Sequence, residues 1–444
     1  MTVQRNTITN TDPRETLDKA PMGLLQIVII AITVGLNGLD GIDVLSISSA
    51  LPGIGEEWGI DHGALGIVSS MMLIGMAIGS IALGWIADIY GRRKTMIGSL
   101  ITMAIGMFMV TTASDVVQLS FWRIITGLGV GGLLSAITAI TAEFSNLKYR
   151  YLCISIMAIG YPLGGSIGAK IASWLLLAYN DEWRTIFYFG AVVTTLFIPI
   201  YYFVVPESVH WLTRKQPAGA LEKINKTLKR MGHNAVSALP EISEEVRKKS
   251  FSDLFAPGLI WITIIITGAY FLQITTYYFI LIWTPTVFTD MGFTASQGSD
   301  MLTWANMGGL VGGTILGLLT LRVDVKKLTI GALALSAFAI SGLGRIPQDL
   351  VYGAVFAFLS GFFGNAGIVG MYALFPAAFP THVRASGTGF AVGIGRGGAI
   401  LSPIIVGIMF KANLPLSIVT MLISTGALIG AGVLIFLRLG KDSG

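Results

Sequence analysis

The chain of 444 residues has one cysteine, Cys153, and only 12% charged residues. A single cysteine excludes an intramolecular disulfide and leaves nothing resembling a thiolate metal site, so Cys153 is read as a small core residue. The shortage of charge, set against 53% hydrophobic residues and a mean hydropathy of +0.75, excludes a soluble globular domain, which could not cover so much apolar surface. The net charge of +5 does not point to nucleic acid, because the basic residues stand in short clusters between apolar stretches, where they set orientation in a bilayer. No nucleic-acid partner is expected.

Long hydrophobic runs are what the chain has in abundance. Met1 to Pro21 is polar and lacks a short apolar core followed by a small-residue cleavage site, so residues 1–23 read as a cytoplasmic tail rather than a signal peptide. Apolar runs follow at 24–54, 64–86, 95–113, 117–142, 152–178 and 184–206, each near the twenty residues a spanning helix needs. A polar stretch over 207–256 interrupts them. Six more runs lie at 258–288, 296–320, 327–345, 350–376, 385–410 and 414–437, ahead of a short tail over 439–444. One set of loops holds Arg92, Arg93, Lys94, Lys148, Arg150, Arg247, Lys248, Lys249, Arg322, Lys326, Lys327 and Arg384; the alternate loops are mostly acidic. By the positive-inside rule the first set is cytoplasmic, which with twelve spans places both termini inside.

Asp40 and Asp43 break the first span near its midpoint. An aspartate at the centre of a membrane helix costs on the order of 2.5–3.5 kcal/mol, so two of them need a partner, a wet cavity or a proton. A spacing of three puts both on one helical face, and the adjacent Gly38 and Gly41 let another backbone approach. The competing reading is a pair of satisfied structural carboxylates. Three cations lie at comparable depth: Arg396 near the middle of the eleventh span, Lys170 just outward of the middle of the fifth, and Arg123 in the outer half of the fourth. A carboxylate substrate needs such a counter-charge, and an arginine can grip it in bidentate fashion, which singles out Arg396. Pairing with an acid of the protein is the alternative for Arg396, and snorkelling to the outer surface the alternative for Lys170. Tyr270, Gln273, Tyr277, Tyr278 and Trp283 in the seventh span, Trp304 and Asn306 in the eighth and Asn365 in the tenth offer rings to stack on a substrate and amides or phenols to fix it. For any single tyrosine among them, packing is the leading reading.

The two halves read as copies. Gly317 opens a loop sequence 233 residues after the one opened by Gly84, and Arg384 follows Arg150 by 234, which argues for an internal duplication of six helices. Such repeats put a substrate site between the halves near the bilayer midplane. The glycine-rich stretches Gly127 to Gly132 and Gly308 to Gly317 lie inside spans without a nucleotide-binding context, so they read as close helix packing. In the central loop, AGALEKINKTLKRM over 218–231 has helical spacing of Leu221, Ile224, Leu228 and Met231 with a basic opposite face, and is expected to lie along the inner membrane surface.

The stretch GWIADIYGRRK, Gly84 to Lys94, is similar to the G-x-x-x-D-x-x-G-R-R/K loop signature of the major facilitator superfamily, and the twelve spans with a long central loop fit that superfamily end to end. Within it, LDGID in the first span and FPTHVRASGTGFAVGIGRGGAILSP around the eleventh resemble the aromatic acid:proton symporter family. PESVHWL at the start of the central loop occurs in sugar porters as well and does not discriminate. The resemblance implies a latch of Gly84, Asp88, Gly91 and Arg92, a charge cluster at the cytoplasmic seam that holds one conformation until the halves rock apart. In the second copy Leu321, Asp324 and Val325 replace the aspartate, the second glycine and the first arginine, so that latch is built differently. Arg123 opens an R-x-x-x-G-x-G-x-G run similar to the fourth-helix motif associated with proton coupling. Glu143, at the inner end of the same span, is grouped with it and expected to pair with Arg150 or with the seam between helices.

The sequence therefore specifies an all-α membrane protein of twelve helices in two six-helix pseudo-repeats, residues 24–206 and 257–438. The expected activity is proton-coupled import of a small organic anion, an aromatic carboxylate first, by alternating access, with Asp40, Asp43, Arg123 and Glu143 on the proton side. No bond is made or broken, so no enzyme activity is expected. Neither is a metal or other cofactor besides the coupling proton, and the chain is expected to work as a monomer in the bilayer. A sugar or polyol porter is disfavoured because LRLGKDSG after the last span lacks the P-E-T motif; a non-aromatic dicarboxylate porter or a substrate sensor would keep the same fold.

Overall fold

The computed structural model describes residues 12–240, 254–379 and 383–437. The basic run Arg247, Lys248 and Lys249, the outermost tail residues and Pro380 to His382 of the eleventh-span motif lie outside them. The described residues form fifteen α-helices: α1 (Pro13–Lys19), α2 (Leu24–Trp58), α3 (His62–Tyr90), α4 (Arg92–Val110), α5 (Val116–Glu143), α6 (Arg150–Ala178), α7 (Arg184–Val204), α8 (Val209–Lys215), α9 (Ala220–Met231), α10 (Ile260–Asp290), α11 (Ala295–Leu319), α12 (Val325–Leu343), α13 (Leu350–Ala378), α14 (Arg384–Lys411) and α15 (Leu416–Ile435). Twelve of these, α2–α7 and α10–α15, are long and apolar enough to cross a membrane. Several of the acids between spans turn out to be helix caps: Asp61, Asp115 and Asp349 accept backbone N–H groups at the starts of α3, α5 and α13.

The duplication is visible in how the helices meet. A Cβ on Gly75 or Gly79 of α3 would stand 2.3 Å from a carbonyl oxygen of α5, and one on Gly127 of α5 would stand 2.1 Å from the Met72 oxygen of α3. Gly308 and Gly312 of α11 and Gly361 of α13, displaced by 233 or 234 residues, meet the opposing backbone in the same way. Both glycine-rich stretches are thus helix crossings that no larger residue would permit.

The first half (α2–α7) and second half (α10–α15) touch where α3 lies on α14, α6 on α11 and α2 on α10. Apart from Ser70 Oγ, which donates to the Ile400 oxygen at 2.7 Å deeper in the bundle, the hydrogen bonds and ion pairs that join the halves among the described side chains gather at the end remote from the chain termini. There Lys411 Nζ is 2.9 Å from Asp61, Lys170 Nζ 2.8 Å from Asp300, His62 Nε2 3.0 Å from Asp290, and the Ser173 and Ser296 hydroxyls are 3.0 Å apart. His62 also stacks on Trp283 and tilts against Phe410. In keeping with a sealed remote end, residues 43–51 of α2 and 279–288 of α10 are buried on every side, while their halves nearer the termini alternate with accessible positions.

Two polar segments pack on the first half. The N-terminal segment is anchored: Leu17 of α1 is fully buried and Asp18 bonds Arg150 at 2.5 Å. Helix α9 turns its apolar face, Ile224, Leu228 and Met231, into the protein, with Met231 against Gly23 at the start of α2 and the following His233 bonded to Gln26 at 3.1 Å. It docks on the first half instead of offering that face to a membrane surface. Enough apolar area is available on the protein itself to bury the stripe.

Candidate functional site

Asp43 and Arg123 are both 0% exposed, with Arg123 Nη1 2.9 Å from Asp43 Oδ1. Arg123 Nη2 reaches the Asp43 carbonyl, and the guanidinium lies 5.5 Å from the centroid of Phe187. The fourth span thus supplies Asp43 with its own counter-ion inside the first half. Removing either partner would strand a charge in a dry interior.

Asp40 has no such partner. It is 2% exposed, and its Oδ1 is buried without a hydrogen bond. The cation whose field reaches it is Arg396 of α14, in the other half. Arg396 is partly accessible, lies at the middle of α14 and forms no ion pair among the described residues. A carboxylate and a guanidinium thus face each other from opposite halves at mid-membrane depth, leaving the arginine fork free for a third group.

Tyrosines surround the two. Tyr270 packs on Gly395 beside Arg396, shares a 3.0 Å hydrogen bond with the hydroxyl of Tyr372, and meets Phe375 edge-on at 5.2 Å. Tyr372 is 47% exposed. Tyr278 lies within electrostatic reach of Arg396, Asp40, Tyr372 and Tyr161. Tyr161 and Tyr372 were absent from the sequence reading. The repeat carried a signal for the first, since Tyr161 and Pro162 precede Gly395 and Arg396 by 234 residues.

Other expected site residues lie elsewhere. Lys170, nine residues beyond Tyr161 and so about 14 Å further along α6, is part of the remote seal with Asp300 and not of this site. Trp304 is 45% exposed and lines a groove of about 460 Å³ with Val351, Val355 and Phe358 on the outside of α11 and α13. Asn306, two residues and hence about 200° further round α11, faces Gly165 of α6 at the join of the halves. Gln273 Nε2 donates to the Gly364 oxygen at 2.8 Å and Asn365 Nδ2 to the Gly309 oxygen at 2.7 Å, while Tyr277 packs between Gly309 and Gly364. These three brace the second half internally, and Tyr277 also lies within electrostatic reach of Tyr161 and Tyr278.

The loop signature builds a cluster within the first half. Asp88 Oδ1 accepts from Arg92 at 2.5 Å and from Arg214 at 3.1 Å, and Arg92 Nη2 is 3.6 Å from Glu143. Glu143 therefore pairs with Arg92, Arg150 having been taken by Asp18, and it stands at the end of α5 away from Asp40. Gly84 lies against Ser135 of α5. Gly91 has φ of 107° and a Cβ there would stand 2.2 Å from Glu207, whose Oε1 accepts the N–H groups of Arg92 and Arg93 at 2.9 and 3.1 Å. Burial pushes the Glu207 carboxyl up from its ordinary value, against the pull of those hydrogen bonds. In the second half Asp324 caps α12 with its own side chain, accepting from Lys327 N at 2.9 Å. Both halves satisfy the same helix start by different means. Among the described residues, none of the partners of Asp88 or Arg92 belongs to the second half; with the halves joined at the remote end, the cluster is turned toward its own half and the central segment.

Comparisons with known proteins agree with this geometry. The Major Facilitator Superfamily model matches residues 33–312. The chain is 25% identical over 95% of its length to a gallate transporter of Pseudomonas putida, covering 93% of that protein. It is 27% identical to a 3-(3-hydroxy-phenyl)propionate transporter of Escherichia coli (strain K12), over 93% of this chain and 95% of the relative, and 27% identical to a 4-hydroxybenzoate transporter of Acinetobacter baylyi, over 96% and 94%. Among solved structures, a D-xylose-proton symporter superposes with a TM-score of 0.73 at 17% identity, covering 94% of this chain and 99% of that one, which speaks for the fold. Twelve spanning helices in two glycine-crossed halves, a D-x-x-G-R-R loop and a model match over most of the chain have one conclusion: the protein belongs to the Major Facilitator Superfamily.

Proposed function

We propose that the protein imports aromatic carboxylates by proton symport across a bacterial inner membrane, with the terminal end of the bundle cytoplasmic, so that the arrangement described here is inward-facing. The observation that carries this is Arg396: a mid-membrane guanidinium without an ion-pair partner among the described residues, beside Tyr270, Tyr278 and Tyr372, opposite an unpaired carboxylate, in a chain whose curated relatives are named for gallate, 4-hydroxybenzoate and hydroxyphenylpropionate. Arg396 holds the substrate carboxylate and the tyrosine rings flank its aromatic body. Asp40 takes the proton, because a neutral acid crosses a closed, dry intermediate at far lower cost than an ionised one. Asp43 and Arg123 keep the first half in register beneath it. The chain acts as a monomer and needs no cofactor.

The test is uptake into proteoliposomes under an inward proton gradient, using labelled benzoate, 4-hydroxybenzoate and gallate in parallel, with xylose as the neutral control. Accumulation of at least one acid but not of xylose is expected. Arg396→Ala should weaken binding of that acid by roughly 2–5 kcal/mol, the size seen when one partner of a buried charge pair is removed. Arg396→Lys should lose less, since it keeps the charge but not the fork. Xylose uptake without acid uptake, or wild-type affinity in Arg396→Ala, would overturn the assignment.

A further inference from the structure

Among the buried polar atoms without a hydrogen-bond partner, two stand on facing turns of neighbouring helices: Oδ1 of Asp40 and the hydroxyl of Tyr161. Native proteins rarely leave such atoms unpaired in one place without a use for them. The backbone explains why they are neighbours. Helices α2 and α6 cross so closely at Gly38, Gly41 and Gly164 that a Cβ on Gly41 would stand 2.2 Å from the Tyr161 carbonyl oxygen. Tyr161 therefore projects from the turn of α6 that lies against the Asp40 turn of α2. Its hydroxyl is within reach of Tyr278 on α10, the opposite half, yet completes no hydrogen bond with it, and Tyr277 of the same helix also faces it. Asp40 itself is faced by Tyr161 from α6, Tyr278 from α10, Arg396 from α14 and Asp43 on its own helix.

We propose that Tyr161 is a positioning residue for proton coupling: its hydroxyl donates to Asp40 while that carboxylate is ionised and turns to Tyr278 once Asp40 carries a proton. The phenol can serve only one acceptor at a time. The charge on Asp40 thereby decides whether α6 of the first half is tied to its own half or to α10 of the second. Loading the proton transfers a hydrogen bond across the join, which is a differential contact between conformations of the kind that shifts their balance. This rests on the reading of Asp40 as the proton carrier.

The experiment compares wild type, Tyr161→Phe, Tyr278→Phe and Asp40→Asn in proteoliposomes, with labelled 4-hydroxybenzoate, gallate and benzoate as probes. Exchange of internal for external probe without a gradient reports folding and binding; accumulation driven by a proton gradient reports coupling. Tyr161→Phe is expected to exchange within about twofold of wild type and to lose accumulation by about tenfold, the size of a lost hydrogen bond to a charged group. Its net-uptake pH profile should move to higher pH, because the ionised carboxylate has lost a donor. Tyr278 also flanks the substrate, so Tyr278→Phe is read as the ratio of accumulation to its own exchange, which should fall by about tenfold, and the double variant should be no worse in that ratio than either single one. Wild-type accumulation and pH profile in Tyr161→Phe, alongside uncoupling in Asp40→Asn, would overturn the role of Tyr161 alone. Wild-type accumulation in Asp40→Asn would overturn the parent reading and this proposal with it. Should Tyr161→Phe fail to exchange, the ratio of accumulation to exchange in Tyr278→Phe carries the test, and a wild-type ratio there would overturn the proposal.

Discussion

Asp40 and Asp43 are one helical turn apart and chemically identical, yet their surroundings give them different work. Asp43 is held by Arg123, which also touches Met72 and Phe187, so both charges are neutralised within the first half. Asp40 makes no ion pair among the described residues and looks across to Arg396 in the other half. The consequence for stability is asymmetric. Truncating Arg123 to Ala should cost about 3–5 kcal/mol, the size expected when a buried pair loses one member. Asp43→Asn leaves Arg123 charged and only partly satisfied, and should cost a comparable amount. Asp40→Asn strands no paired cation inside its own half and should fold nearly as well as wild type. Thermal unfolding of the detergent-solubilised variants checks the order, and an Asp40→Asn protein less stable than Arg123→Ala would contradict it.

The start of α4 shows how an element is held by chain far away from it. Gly91 is required both by its positive φ and by the nearness of Glu207, whose carboxylate caps Arg92 and Arg93 from across the central segment. This cap couples the α8 region to the end of α3 that carries Asp88, which Trp211 also reaches through the Asp88 carbonyl at 3.0 Å. Glu207→Ala should therefore lower stability by about 0.5–2 kcal/mol, as for other lost N-caps, while leaving substrate binding intact. Measuring unfolding and probe binding on the same preparation separates the two effects; loss of binding with unchanged stability would place Glu207 in the wrong role. The second half needs no such remote cap because Asp324 provides one locally. That difference accounts for the departure of the second loop from the signature without requiring it to be degenerate.

Across the whole molecule, the remote end is closed by two seams of opposite polarity. At one, Asp61 of the first half meets Lys411 of the second; at the other, Lys170 of the first half meets Asp300 of the second. Swapping the halves exchanges α3 with α11 and α6 with α14, so the two pairs are one arrangement used twice. Such exposed pairs contribute little each, about 0–1 kcal/mol, which suits a seal that must open. The Ser173 and Ser296 hydroxyls, 3.0 Å apart across the second seam, offer a direct test. With Ser173→Cys and Ser296→Cys together, mild oxidation should form a disulfide that stops transport, and reduction should restore it. Cys153 is buried and should not interfere. Full transport by the oxidised, cross-linked protein would show that this end does not open.

Twelve spans, a duplicated half, glycine crossings and a charged site at mid-depth were all written in the order of residues, because each depends on quantities local to the chain. An apolar run of twenty residues has to cross a bilayer, and a charge at its middle has to be answered whatever surrounds it. Arg396, Asp40 and Asp43 were legible for that reason. What the order of residues does not contain is the angle at which each helix presents itself to its neighbours. Trp304 and Asn306 are two residues apart and face opposite ways, Lys170 rises past the site into the seal, and Gln273 and Asn365 spend their amides bracing the second half. Tyr161 and Tyr372 reach the site only because α6 and α13 turn those faces inward. The apolar stripe of α9 likewise announced itself as a stripe, and packing alone decided that it would close on the protein and not on lipid. Composition and periodicity determine which segments enter the membrane; helix rotation and contact across the halves determine which side chains meet there.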